Sequence, residues 1–216
     1  MRIEPLGESA YILRDFDAEP YILARSIELA GVPGIYEIVP SIKTVGLYVD
    51  PNVFKPDDFA DIKLITPPRG QHHVIPMVFD GSDVVEISRM VSTDPEFIVK
   101  VFCDQEYTVT CLGFLPGFPY LKGLPDVLAT IQRREEPRIH VPAGSVAIAS
   151  GMAGIYPKQS PGGWNLLGTT PLAIVNLAEN YFPINPGDTV KFVEVEKAVF
   201  TKLKGKTLAD YAPDRH

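Results

Sequence analysis

Apolar residues alternate with polar ones over short runs along most of this chain, and only a few stretches carry the wider spacing of a helix. "SAYILR" (9–14) reads as a strand. "PYILARSIELAG" (20–31) reads as a helix, with Pro20 suited to a first turn, Gly31 to a stop, and Ile22, Leu23, Ile27 and Ala30 forming its apolar stripe. "GIYEIVP" and "TVGLYVD" follow as β-rich runs, then "PDDFADI" as a short helix. These elements make an α+β module of about 65 residues with an antiparallel sheet.

"TPPRG" (66–70) reads as a linker, because consecutive prolines stiffen the chain and Gly70 releases it. The domain boundaries expected are therefore 1–68 and 69–216. In the second part "HVIPMVF" (73–79) is a strand whose Pro76 favours an edge or a bulge. Ser82 is placed to cap a helix over "SDVVEISRMV", and Asp94, Pro95 and Glu96 start another over "DPEFIVKVF". "EYTVTCL" (106–112) alternates, with Tyr107, Val109 and Cys111 on one face and Thr108, Thr110 and Leu112 on the other. "SVAIA" (145–149), "PLAIVNL" (171–177) and "DTVKFVEV" (188–195) complete the expected strands. Many short strands with no long helix after residue 103 point to a β-barrel or sandwich. The tail "KGKTLADYAPDRH" offers little to pack.

With 216 residues, 45% hydrophobic and 22% charged, the composition is that of a soluble globular protein of one large or two small domains. The net charge of −7 argues against nucleic acid or anionic lipid as a partner, and no basic cluster offsets it. Acidity is concentrated at the start: residues 1–68 hold six Lys or Arg against eleven Asp or Glu. No apolar run is long enough for a signal peptide or membrane span, so a cytoplasmic location is the default. Cys103 and Cys111 lack a CxxC spacing and read as ordinary buried thiols.

Two segments stand apart. "GFLPGFPYLKGLP" (113–125) packs three glycines, three prolines and three aromatics into thirteen positions, which specifies a rigid irregular loop displaying Phe114, Phe118 and Tyr120. "VPAGSVAIASGMAGIYPKQSPGGWNLLGTTP" (141–171) has six glycines, four prolines, the only tryptophan, Trp164, and Lys158 as its one charge. Long loops of this kind are often functional; the alternative is that both are barrel corners and core filler. Between them "QRREEPRIH" brings Arg133, Arg134 and Arg138 together. Guanidinium groups bind carboxylate or phosphate through paired hydrogen bonds, which suits an anionic ligand, unless Glu135 and Glu136 simply neutralise them. "SPGGW" (160–164) invites a phosphate-cradle reading through Ser160, Gly162, Gly163 and Trp164, but no Walker or dinucleotide motif is present.

Other chemistries fit less well. His72 and His73 are adjacent on a strand and point to opposite faces, His140 stands alone and His216 is the last residue, so no metal site is expected. Ser145 in "AGSVA" lacks the GxSxG frame and a nameable base.

The segments "LGFLPGFPYLKGLP", "RREEPRIHVPAGSVAIA", "GIYPKQSPGGWNLLGTTPL" and "INPGDTVKF" resemble the family variously called allophanate hydrolase subunit 1, the B-type subunit of 5-oxoprolinase and the kinase A inhibitor of sporulating bacilli. "IEPLGESA" and "PGIYEIVPSIKTVGLYVDP" resemble its opening domain, so the likeness spans nearly the whole chain. It implies a small α+β N-terminal domain and a cyclophilin-like β-barrel C-terminal domain. It also implies two partners: the C-type subunit of 5-oxoprolinase, itself cyclophilin-like, and the lactam-hydrolysing A-type subunit. Together these open 5-oxoproline to glutamate at the expense of ATP, with Mg. The Ser-Ser-Lys arrangement of the amidase that hydrolyses allophanate is not seen here.

A five-membered amide is unreactive, and phosphorylating its oxygen would make later attack by water feasible; positioning and charge neutralisation dominate such a transfer. The resemblance then makes Phe114, Phe118 and Tyr120 an apolar wall. It makes Arg133, Arg134 and Arg138 holders of carboxylate or phosphate, Ser160 to Trp164 a source of backbone contacts, and Ser145 and Tyr156 hydrogen-bonding groups. A regulatory alternative is inhibition of a sporulation-type sensor histidine kinase; isomerase activity would rest on barrel analogy alone. Three departures from the family pattern stand out: "FDGSDVVEIS" (79–88) replaces a "YGGxxGPDL"-like run, Phe102 replaces a histidine, and Thr169 in "GTTP" takes a basic position.

Overall fold

The computed structural model describes residues 1–59, 62–66 and 70–211. Its contacts divide into two compact units, Met1–Arg69 and Gly70–His216. Positions 67–69 of the expected linker and the tail beyond 211 lie outside the described residues.

In the first unit β1 (Arg2–Pro5), β2 (Ala10–Arg14), β3 (Ile35–Pro40) and β4 (Val45–Val49) form an antiparallel sheet in the order β1-β2-β4-β3. Helix α1 (Pro20–Ala30) packs its buried Leu23, Ala24 and Ile27 with Leu13, Val45, Leu47 and Val49 of the sheet. The stripe is therefore shifted from the expected one: Ala24 is inside and Ala30 exposed. Gly31 ends the helix at φ 62°, a conformation that suits glycine. "PDDF" (Pro56–Phe59) forms a 3-10 turn, and residues 60 and 61 of that expected helix lie outside the description.

The second unit is a seven-stranded sheet curled almost into a barrel. Its strands are β5 (His72–Met77), β6 (Tyr107–Leu112), β7 (Pro119–Lys122), β9 (Ser145–Ala149), β10 (Met152–Ile155), β12 (Asn165–Thr169) and β13 (Thr189–Glu194), in the order β12-β9-β10-β7-β6-β13-β5. β5 is an edge strand, as Pro76 suggests, and pairs in parallel with β13. The seam closes just beyond it, where Val78 and Thr169 exchange backbone hydrogen bonds at 3.0 and 2.9 Å. The mixed α+β class and the barrel-like second sheet agree with the sequence reading.

Helices α2 (Val84–Met90) and α3 (Pro95–Asp104) add Ile87, Ile98 and Phe102 to the core made by Ile75, Met77, Tyr107, Leu121, Val146 and Phe192. Asp94 caps α3 by accepting from the Phe97 N–H at 2.7 Å. The cap residue of α2 is Asp83 rather than Ser82, and its side chain is spent elsewhere, as described below.

Four further expectations change. The 141–171 segment is not a long loop: it contains β9, β10, β12 and the short β11 (Ser160–Gly162), which pairs with β8 (Arg138–Val141). Similarly, "PYLK" of the aromatic segment is strand β7, so irregular backbone remains only at 113–118 and 123–125 of that segment. "PLAIVNL" forms isolated bridges only, Ala173 with Thr207 and Asn176 with Tyr181. In β6 a bulge between Val109 and Cys111 reverses the alternation. Leu112 therefore packs on the core of Tyr107 and Val109, while Cys111 lies opposite Tyr120. Short helices α4 (Asp126–Ala129) and α5 (Lys197–Leu203) complete the unit, and a capping box from Thr207 and Asp210 orders the tail up to Tyr211.

Candidate functional site

On the outer side of β7, β9 and β10, small residues make room for rings. Ala147 and Gly154 face out where Ile148 and Ile155 face in, and a Cβ at Gly154 would approach Phe118 Cζ to 2.6 Å. Phe118 occupies that space as the hub of an aromatic group. Its ring centroid lies 5.6 Å from Phe114, 5.1 Å from Tyr120, 5.2 Å from Tyr156 and 5.5 Å from Trp164, mostly edge to face. The structure thus brings together the aromatic residues singled out in two distant segments. It does not make them an open wall, because Phe118 and Tyr156 are each only 1% exposed. Phe114 is the ring that faces solvent, at 59% exposure and with φ 65°.

Tyr156 joins this group to the arginines. Burial pushes its phenol above the ordinary value, while a hydrogen bond with the Trp164 backbone and the Arg138 charge pull it back. Gly162 is glycine because any side chain there would strike the Tyr156 hydroxyl. Ser145 is buried in β9, where its carbonyl accepts from the Tyr156 N–H at 2.9 Å. Ser160 is also buried, and its hydroxyl donates to the Pro161 carbonyl. Residues 160–162 are a strand rather than a glycine cradle, and the Gly163 carbonyl accepts from the Arg134 N–H at 2.7 Å.

The centre of the charged part is Asp83, which sequence reasoning missed. Its side chain is 3% exposed. Oδ1 accepts from Arg138 Nη2 and, at 3.2 Å, from Arg134 Nη1, while Oδ2 accepts from the Leu166 N–H at 2.7 Å. Arg138 also donates to Ser82 Oγ and the Trp164 carbonyl, and Arg134 reaches Glu86 Oε2 at 3.3 Å. Glu135 and Glu136 do not neutralise these arginines; Asp83 and Glu86 do. The available signal was an acidic residue opening a helix in a chain with Arg134 and Arg138 four positions apart on a strand-rich segment. Arg133 is exposed and stands apart from this cluster.

Among the described residues no three His, Cys, Asp or Glu side chains converge. His73 instead forms a buried pair with Asp188 at 2.9 Å, and Asp188 also accepts from the N–H groups of Gln71 and Asn185 at 2.8 Å. That pair clips the loop before β13 to the start of β5. Phe102 and Thr169, two of the expected departures, both touch the third, the 79–88 segment. Thr169 Oγ1 donates to Asp80 Oδ1 at 3.0 Å, and Phe79 packs edge to face on Phe102, which is fully buried.

A sequence profile of the carboxyltransferase domain, subdomain C and D, matches residues 1–182. The B-type subunit of 5-oxoprolinase from Haemophilus influenzae is 36% identical over 210 residues, covering 89% of this chain and 97% of the relative. The chain belongs to this family. The B-type 5-oxoprolinase subunit of Bacillus subtilis is similar as well, 32% identical with 94% of this chain and 96% of the relative covered. Among solved structures, that of TTHA0988 superposes with a TM-score of 0.75 at 33% identity, over 87% of this chain and 40% of that longer one. Within the family of B-type 5-oxoprolinase subunits the aromatic group and the Asp83 cluster are therefore the features to explain. No helix among the described residues is long and apolar enough to cross a membrane.

Proposed function

We propose that this chain is the B-type subunit of a cytoplasmic, ATP-dependent 5-oxoprolinase that opens the lactam of 5-oxoproline to glutamate, acting with a cyclophilin-like C-type subunit and a lactam-hydrolysing A-type subunit. The observation that carries the reading is the end-to-end match to two proteins named as this subunit of 5-oxoprolinase. The geometry supports a binding and positioning role. Its one buried His–carboxylate pair among the described residues, His73 with Asp188, is spent on main-chain groups, and Ser145 lies in the sheet. Rigid rings and a neutralised Arg–Asp cluster give a surface that holds its shape when a charged ligand or a partner arrives.

ATP is the co-substrate of the assembly in this reading. Among the described residues no three acidic, His or Cys side chains converge, and the Ser160–Gly162 strand does not fit a phosphate cradle, so no step through nucleotide is assigned to this chain. What its residues supply is the exposed Arg133 guanidinium, beside a rigid frame of rings and paired charges. A strain lacking this chain should accumulate 5-oxoproline, and the intact chain should restore its consumption. Unchanged 5-oxoproline turnover in the deletion strain would contradict the assignment.

A further inference from the structure

Beside the Asp83 cluster, α2 and the segment 130–136 enclose a cleft of about 600 Å³. Met90, Val91 and Ile131 contribute apolar lining, and Arg133, Arg134 and Gln132 contribute donors. The segment is pinned from behind. The Ile131 carbonyl accepts from the Ser150 N–H at 2.7 Å, the Gln132 carbonyl from Asn165 Nδ2 at 2.8 Å, and the Arg134 N–H donates to Gly163. A cleft with a fixed wall is formed before any ligand arrives.

Arg134 is under-used where it stands. Its Nη1 is shared between Asp83 at 3.2 Å and Glu86 at 3.3 Å, long for charge-assisted bonds, and its Nε is buried with no partner. Unpaired buried donors are rare and costly in native structures. Asp83 does not depend on it, since Arg138 and the Leu166 N–H already hold both carboxylate oxygens. Arg133, next to it, has no ion-pair partner among the described residues. Two guanidinium groups, one uncommitted and one weakly committed, thus border the same space.

We propose that this cleft binds a small monocarboxylate that also carries an N–H donor, with Arg134 turning its guanidinium from Asp83 and Glu86 onto the ligand carboxylate alongside Arg133. Two positive charges face three negative ones in the lining, from Glu86, Glu135 and Glu136. That balance disfavours a triphosphate far more than a single carboxylate, which the two guanidinium groups can pair directly, and an N–H group finds glutamate acceptors. A lactam acid has both groups. Its identification as 5-oxoproline rests on the function proposed above; the cleft chemistry does not.

Isothermal titration of the full chain, alone and assembled with its partner subunits, tests this with 5-oxoproline, glutamate, inorganic phosphate and ATP as probes. Saturable binding of 5-oxoproline is expected, weakened at least about tenfold by Arg133→Ala and by Arg134→Ala. Lys158→Ala, which lines a different pocket, should leave it unchanged. Absence of carboxylate binding in both preparations overturns the proposal. So does binding of phosphate or ATP that the two arginine variants abolish while carboxylates fail to compete. If the assembled enzyme turns over 5-oxoproline with the same KM in both variants, the cleft assignment fails and the functional reading stands. If 5-oxoproline binds as described but the assembly shows no turnover, the cleft stands and the functional reading fails.

Discussion

Asp83 is buried in the second unit, with Arg138 and the Leu166 N–H on its two oxygens and Arg134 more loosely at 3.2 Å. Removing one partner of a buried pair costs more than the pair is worth, because the remaining charge stays desolvated. Both arginines keep about a quarter of their surface in water, so Asp83→Ala is expected to cost about 3 kcal/mol rather than the upper end of that range. For a unit of this size that lowers Tm by about 6–12 °C, whereas Arg133→Ala should leave Tm unchanged. Thermal melts of the two variants separate these cases. The aromatic hub gives a second contrast. Phe118→Ala removes a fully enclosed ring and should cost about 4 kcal/mol by denaturant titration. Phe114→Gly should be close to neutral, because the lost ring contacts of about 1 kcal/mol are offset by relief of a bulky residue at positive φ. A large loss at Phe114 would mean that its exposed ring is structural. The sequence made these rings conspicuous but not their partition, because only packing against Ala147 and Gly154 decides which ring is enclosed.

Among the elements, the barrel seam depends on two glycines. A Cβ at Gly168 would overlap the Val78 carbonyl, and one at Gly81 the Leu166 carbonyl, so neither strand can approach if either residue is replaced. Gly168→Ala and Gly81→Ala should each raise the hydrogen-exchange rate of the Val78 and Thr169 amides by a factor of ten or more, about 1.4 kcal/mol of local opening. Unchanged exchange would show that the seam is not what holds the sheet closed. β6 supports a pH prediction. Burial pushes the Tyr107 phenol well above its ordinary value, and its hydroxyl donates to the Phe102 carbonyl at 2.9 Å. The unfolded chain ionises this group first, so the stability it confers is full below about pH 10 and is lost as pH rises beyond that. Tyr107→Phe should cost about 1 kcal/mol at neutral pH and make the alkaline decline shallower, measured as Tm against pH. An equally steep decline would assign it to other groups. Helices with a proline start, and strands such as "SVAIA", were legible because cap and alternation are local signals. The bulge in β6, the other three strands inside 141–171 and the loss of a strand at 171–177 were not, because glycine and proline report turns but not which partner a short run will find.

For the whole molecule, family membership makes the departures informative. Phe102 is buried against Phe79, and Thr169 bonds Asp80, so the positions expected to depart from the family pattern touch one another in pairs. The same 79–88 segment supplies Asp83, which Arg138 and Arg134 hold, and Glu86 of the cleft lining, so the departures border the cleft. The motif segments that suggested the family lie mainly in the second unit, and their order along the chain was readable at once. Their convergence on Asp83 was not, since that residue lies some fifty positions before the arginines it holds. The central claim is that the chain is a required part of a 5-oxoprolinase. Its most direct test is 5-oxoproline-dependent ATP hydrolysis and glutamate release by this chain mixed with its A-type and C-type partners, each omitted in turn. Turnover that disappears when this chain is left out is the expected result. Full turnover without it, or none from a folded, complete assembly, would contradict the account.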